Sequence, residues 1–360
     1  MIENSLRIRE DLSLGSGYYS PQVQADIRLN NNESPYLPPE GWMESFLDKV
    51  RTLELNRYPE RRYQLLRDSI AQFHKVSPEN IFCANGSNEV LQCLLLAYGG
   101  PGRKALVFEP TYLLHSHIAK ITGTSTLSLD RDEEYLINHT QAVEHISTLQ
   151  PDIIFMCSPN NPTGLCEPRE TVRNLYESGK GLVILDEAYG EFATWNGLEE
   201  FDIDKRDRRL AIIKTFSKTW SLAGVRLGYL IANPEIVHAC ELVALPYRIS
   251  SLTALAGQLA LDYRSELDIR VSNIVKGREW LFEEMAPMPL HVLKSESNFV
   301  TFRPERVDSS LVFDSLLESS VLVRKCTSWP RLSGFLRVTV GTTSENESFV
   351  QSLSKALEEK

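Results

Sequence analysis

The stretch that decides the fold is "DIIFMCSPNNPTGLCEPRETVRNLYESGKGLVILD", residues 152–186. It begins with the apolar run "DIIFMC" and ends with a second, "GLVILD", with the amphipathic segment "PRETVRNLYES" between them. Apolar runs without polar alternation are strands covered on both faces, and strand–helix–strand order joins parallel neighbours. The same alternation extends outward in both directions. Upstream, "NIFCA" and "KALVFE" read as strands, each followed by a helix, "SNEVLQCLLLAY" and "TYLLHSHIAKI". Downstream, "RLAIIKTF" and "RLGYLIA" continue the strand series and "PEIVHACELV" supplies a further helix. The expected fold class is therefore α/β, a mostly parallel sheet flanked by helices.

The pattern changes after "LPYRISS" (245–251). A long helical stretch, "LTALAGQLALDYRSELDIRVSNIVKGREWLFEEM", precedes strand-like "NFVTFRP", helical "SSLVFDSLLES", strands "VLVRK" and "FLRVTV", and a closing helix. That reads as a smaller α+β unit. Proline-rich "ESPYLPPEGW" suggests an N-terminal arm. The expected division is an arm over 1–35, a large domain over 36–245 and a small domain over 246–360, in keeping with 360 residues at about 150 per domain.

Composition narrows the partners. Hydrophobic residues at 42% and charged residues at 24% describe a globular chain with a sizeable core. A formal charge of −10 argues against general nucleic-acid binding, which needs a basic face. A small anionic ligand stays compatible, because distant charges are screened while a few arginines act at contact. Six cysteines without a CxxC pair read as free thiols of a reducing cytoplasm. No segment approaches the ~18 apolar residues that span a bilayer, and "MIENSLRIREDLS" has no secretion core.

In an open α/β sheet, ligands gather beyond the carboxyl ends of the strands. There the sequence places "NGSNE" (85–89), where Ser87 and Asn88 open a helix, either as a plain cap or as an anion site. "PTY" brings Tyr112, as packing or as a platform for a planar ligand. His115 and His117, two apart on a helix, point in different directions, so no metal site is expected. "SPNNPTG" (158–164) is a stiff polar loop able to present the Asn161 amide. "DEAY" (186–189) ends a strand in Asp186, with Tyr189 after it. A Walker-B reading of that carboxylate lacks its GxxxxGK[ST] partner, and GxGxxG is missing too.

"TFSKTWSLAGVRLGY" (215–229) is the remaining site. A lysine ordinarily stays charged to about pH 10, so one that reacts near neutrality must be desolvated, placed near other cations or tied up as an imine. Here Lys218 follows the hydroxyls of Thr215 and Ser217 and precedes Arg226, whose guanidinium matches phosphate oxygens. A phosphate held beside a reactive amine, with a carboxylate, a phenol, an amide and an aromatic face, fits pyridoxal phosphate.

On these residues the chain resembles the fold-type I pyridoxal-phosphate aminotransferases. The resemblance spans nearly the whole chain through "RLNNNESPY", "LNRYPE", "NGSNEVLQ", "PTY", "SPNNPTG", "DEAYGEF", "TFSKTWSLAGVRLGY", "PYRISSLT" and "LRVTVGT", in the family's order. "LNRYPE" and the paired C-terminal arginines lean towards its histidinol-phosphate branch. The resemblance implies that pyridoxal 5'-phosphate is joined to Lys218, which shuttles the proton, with Asp186 paired to the ring nitrogen. Tyr189 and Asn161 would contact the ring oxygen and Tyr112 would stack on the ring. Ser87, Asn88, Thr215, Ser217 and Arg226 would hold the cofactor phosphate, with Tyr58 reaching across from a second subunit of a homodimer. Arg337 would take the substrate's anionic end and Arg324, thirteen residues earlier, would help with a doubly charged phosphate. Tyr18, beside Tyr19 in "GYYSPQ", resembles a tyrosine of the arm over the substrate. Arg248 in "PYRISS" departs from the family pattern and would alter the amino donor if it faced the pocket.

The resemblance implies transfer of the amino group of L-histidinol phosphate to 2-oxoglutarate. An aromatic amino-acid aminotransferase or a threonine-phosphate decarboxylase keeps the same cofactor. A non-catalytic pyridoxal-phosphate regulator would need an added DNA-binding segment, and only about 35 residues precede the aminotransferase-like body.

Overall fold

The structure is a computed structural model that describes Arg9 and residues 23–358. Tyr18 lies outside the described residues. In chain order the strands are β1 (Ile27–Arg28), β2 (Ile81–Ala84), β3 (Lys104–Glu109), β4 (Ser125–Asp130), β5 (Ile153–Cys157), β6 (Leu182–Asp186) and β7 (Leu210–Thr215). They continue with β8 (Gly228–Ala232), β9 (Leu290–Val292), β10 (Phe299–Pro304), β11 (Val321–Leu322), β12 (Arg324–Lys325) and β13 (Leu336–Thr339). Among the described residues the large sheet has seven strands in the order β2-β8-β7-β6-β5-β3-β4. Its pairings are parallel except that β8 runs antiparallel to both β2 and β7. The chain is α/β, as the apolar runs imply.

Successive strand residues point to opposite faces, and both faces here are apolar. From β5 and β6, Ile154, Met156, Val183 and Leu185 enter one core layer, while Ile153, Phe155, Leu182 and Ile184 enter the other. The crossover helix Arg169–Ser178 covers the first layer with Val172, Leu175 and Tyr176. Helices Ser87–Tyr98 and Pro234–Val243 cover the second.

Two local features differ from the expected pattern. β4 (STLSLD) is not marked by an apolar run, because it is an edge strand with one solvated face, yet it pairs with β3 along its full length. The expected long helix is two, Ser251–Asp262 and Arg264–Met285. The break falls at Tyr263, whose hydroxyl meets Ser45 Oγ at 3.1 Å. Nothing in helix propensity singles out a tyrosine as a breaker, so the sequence does not mark this break.

The second sheet, β12-β13-β10-β9, is antiparallel. Expected strand "VLVRK" is divided: β11 pairs parallel with β1 near the chain start, and β12 pairs with β13. The helix Arg264–Met285 links both units, with Leu267 in the core of the large sheet and Ile274, Leu281 and Met285 in that of the small one. Ile249, Ala256, Leu259 and Ala260 also pack with the large sheet. We therefore propose a domain boundary between Leu267 and Ile274, later than the expected 245, with Leu29 joining the small-domain core.

Fully burying an isoleucine contributes roughly 1.5–3 kcal/mol and truncating one also leaves a cavity. Ile184 sits on the central strand β6 with no exposed surface. Ile184→Ala is expected to cost about 2–5 kcal/mol in urea unfolding. A loss below about 1 kcal/mol would contradict the double-sided core.

Candidate active site

The carboxyl ends of β5, β6 and β7 open into a cavity of about 400 Å³ between the two units. β8 runs the other way, so the residues just before its start reach the same sheet edge. That reversal is what brings Arg226 beside Thr215 and Ser217.

One end of the cavity is built for an anion. Ser87 and Asn88 begin the twelve-residue helix Ser87–Tyr98, whose first amide groups have no partner within the helix. Thr215 Oγ1 donates to Ser217 Oγ at 3.0 Å, and Arg226 Nη1 donates to the same oxygen at 3.3 Å. Backbone approaches closely here: a Cβ on Gly86, whose φ is +84°, would lie 2.5 Å from Arg226 Nη2. A Cβ on Gly228 would lie 2.2 Å from Ser87 N. The result is a cradle of hydroxyls, a helix N-terminus and one guanidinium.

The floor is Asp186, 2% exposed. Its Oδ2 is 3.0 Å from His115 Nε2, and its Oδ1 accepts from Ala188 N at 3.1 Å. His115 is itself buried and stacked on Phe155 at 4.6 Å. The sequence assigns His115 no role once a metal site is set aside; the structure makes it the partner of the floor carboxylate. Its position three residues after Tyr112, one helical turn on, was the available signal.

Tyr112 lines the cavity and its hydroxyl donates to Asn88 Oδ1 at 3.2 Å. Opposite the anion end, Tyr189 accepts from Asn32 Nδ2 at 2.9 Å and from Asn161 Nδ2 at 3.4 Å. Burial pushes the Tyr189 phenol well above its usual range, which keeps it protonated. With its lone pairs engaged, the phenol's own proton is left to donate towards the cavity. Asn32 adopts φ +55°, a conformation that asparagine tolerates. "RLNNNESPY" was legible as a motif, but the contact from Asn32 to Tyr189 was not.

Lys218 is half-buried in the wall, and its Nζ donates to Asn31 O at 3.0 Å. Loss of hydration and the Arg337 charge lower its pKa to about 8, with Glu33 opposing and Arg226 adding to the shift. An amine in that range is substantially neutral at mildly alkaline pH. It is thus equipped as a nucleophile and a proton carrier.

At the far end Arg324 and Arg337 both line the cavity. Arg337 donates to Asn161 Oδ1 at 2.5 Å and to Asn30 O at 3.0 Å. Trp329, not singled out in the sequence, completes this end. Tyr58 stands outside the cavity, 79% exposed and stacked on Tyr247 at 4.4 Å. Arg248 also lies outside it. Its guanidinium pairs with both carboxylate oxygens of Glu241, at 2.9 and 3.1 Å, and its Nε donates to Cys83 O. It is thus spent on structure. Among the described residues no cluster of metal-ligating side chains occurs and no helix is long and apolar enough to cross a membrane.

Two buried glycines, an anion cradle, a carboxylate floor, an aromatic wall and a depressed lysine suit a planar phosphorylated heterocycle bearing an aldehyde that a lysine can attack. A fold of this kind with such a site defines a pyridoxal-phosphate-type transferase. The model of the family "Aminotransferase class I and II" matches residues 25–353, and the chain belongs to that family. It is 38% identical to the histidinol-phosphate aminotransferase of Corynebacterium diphtheriae, over 96% of this chain and 95% of that one. The crystal structure of the histidinol-phosphate aminotransferase from Clostridium acetobutylicum superposes with a TM-score of 0.85 at 24% identity, covering 93% of this chain and all of that one. That of the Sinorhizobium meliloti enzyme, in complex with pyridoxal-5'-phosphate, gives 0.88 at 19% identity over 99% of both chains.

Two outcomes test the site. Gly86→Ala puts a methyl group against Arg226 at a left-handed backbone position, and is expected to weaken pyridoxal phosphate at least about tenfold in fluorescence titration with the circular dichroism unchanged. Unaltered affinity would show that the guanidinium is not part of the cradle. Covalent attachment of pyridoxal phosphate to cofactor-free protein requires the neutral amine, so its rate should rise with pH around a midpoint near 8. A midpoint near that of a free lysine, about 10, would contradict the desolvated setting of Lys218.

Proposed function

We propose that this aminotransferase carries pyridoxal 5'-phosphate on Lys218 and moves the amino group of L-histidinol phosphate to 2-oxoglutarate by a ping-pong route. The observation that carries this reading is the pair Arg324 and Arg337, side by side on β12 and β13 and facing the cavity that holds Lys218. Two guanidinium groups suit a phosphate monoester at one end of a substrate whose amino-bearing carbon lies near the lysine. When bound, the cofactor supplies an electron-withdrawing pyridine conjugated to that carbon.

The chain's own residues do the rest. Ser87, Asn88, Thr215, Ser217 and Arg226 would grip the cofactor phosphate. Asp186 would hold a proton on the ring nitrogen, and His115 keeps that carboxylate in place. Tyr112 would cover one ring face, while Tyr189 and Asn161 would address the ring oxygen. Lys218, once its amine is released from the cofactor by the incoming substrate amine, would be the group placed to accept and return a proton at the substrate's amino-bearing carbon. Arg337, fixed by Asn161 and Asn30, orients the substrate's anionic end, and Arg324 adds the second positive charge.

A homodimer fits the surface around Tyr58. Leu55, Leu245 and Tyr247 are exposed with it, an apolar patch that a second copy would cover while Tyr58 reached the neighbouring cofactor phosphate. Tyr18 would close the arm over the substrate. Six free cysteines suit a reducing cytoplasm.

A substrate panel read by the cofactor's spectral change tests the assignment. L-Histidinol phosphate should convert the aldehyde form of the cofactor to the amine form far faster than phenylalanine, and threonine phosphate should release no carbon dioxide. Preference for phenylalanine, or decarboxylation of threonine phosphate, would replace the reading by one of those activities. Lys218→Ala should lose the visible absorbance of the attached cofactor and lower kcat by at least about a thousandfold.

A further inference from the structure

Arg324 and Arg337 are direct cross-strand partners, and their side chains line one cavity. Like charges set opposite each other on neighbouring strands repel, and a group that attracts both offsets part of that repulsion. One indole serves both. The Trp329 ring centroid is 5.8 Å from the Arg324 guanidinium carbon and 5.9 Å from that of Arg337, within the range of cation–π attraction.

The indole is in turn fastened to the other domain. Its Nε1 donates to Thr111 O at 2.8 Å, and its ring is buried with Leu293, Cys326, Leu332 and Phe335. Thr111 adjoins Tyr112, and its hydroxyl donates at 2.9 Å to Asn160, the neighbour of Asn161. Two residues beyond Trp329, Arg331 donates to the carbonyl oxygens of Arg131 and Asp132. The segment between β12 and β13 is thus docked at two points on the domain that carries Tyr112 and Asn161. Ordinary core packing would account for the burial of a tryptophan. It would not call for one ring presented to two like-charged groups and tied by its only donor across the domain boundary.

We propose that Trp329 is a positioning residue that gives this subsite its preference for a phosphate monoester dianion over a carboxylate. Facing both guanidinium groups with a single tethered ring, it keeps Arg324 beside Arg337 so that separate oxygens of one phosphate reach both. A carboxylate is satisfied by Arg337 alone, through two parallel hydrogen bonds. The proposal rests on the reading of Arg324 and Arg337 given above.

The test uses the holoenzyme. Trp329→Leu, which removes the ring, is expected to raise KM for L-histidinol phosphate about tenfold and to weaken inorganic phosphate, measured by calorimetry, by a similar factor. KM for 2-oxoglutarate should change less than about threefold. Trp329→Phe, which keeps a ring but no donor, should give the same split at about threefold. Equal losses for phosphate and carboxylate ligands would mark Trp329 as packing only and overturn the proposal, as would unchanged constants for both. If the unsubstituted enzyme does not turn over L-histidinol phosphate, the assigned reaction fails. The phosphate calorimetry on the variants then still decides the part played by Trp329.

Discussion

A carboxylate buried at the end of a central strand is the constraint around which this molecule is arranged. Burying the Asp186 carboxylate is costly unless hydrogen-bond partners meet it. The chain supplies His115 and the Ala188 amide and leaves the remaining approach open to the cavity. The adjoining residue has the opposite assignment. Glu187 turns away and meets buried Lys214 at 2.9 Å, with Glu191 at 3.1 Å from the same amine. Burial works against the charge on Lys214, but the two carboxylates hold its pKa above the usual value. Adjacent residues thus separate a carboxylate that lines the cavity from a structural ion cluster, with Lys214 and Thr215 dividing the same way on β7.

Removing one member of such a buried cluster costs about 3–5 kcal/mol, because the partner is left uncompensated. The ion cluster therefore stiffens the β6 and β7 ends on which Asp186, Thr215 and Ser217 stand. The geometry of the cavity floor thus depends on charges that do not line the cavity.

The small domain is joined to this rigid half by polar contacts as well as by apolar ones. Residues 27–32 act as a strap. Arg337 donates to Asn30 O, Asn298 Nδ2 to Asn32 O at 3.1 Å, and Asn32 N to Thr339 Oγ1 at 3.0 Å. On the other side of the cavity Trp329 and Arg331 dock onto Thr111 and the 131–135 turn. Arg337 is consequently held from two directions, by the strap at Asn30 O and by the docked Trp329 ring, which Arg324 also faces.

Much of this was legible in the chain itself. Unbroken apolar runs determined a doubly covered parallel sheet, and sheet geometry alone then put the residues after each run at one edge, so Asn161, Asp186, Ser217 and Lys218 could be read as neighbours. Tertiary structure decided what periodicity does not encode. It reversed β8, carrying Arg226 to the anion cradle, and broke a continuous helical pattern at Tyr263. It turned Arg248 to Glu241, and it brought His115, Asn32 and Trp329 to partners between 71 and 218 residues away. Local pattern reports which face of an element is buried, because that depends on neighbours three or four residues apart. Which distant side chain meets a buried polar atom depends on the packing of whole layers, and no single segment contains that information.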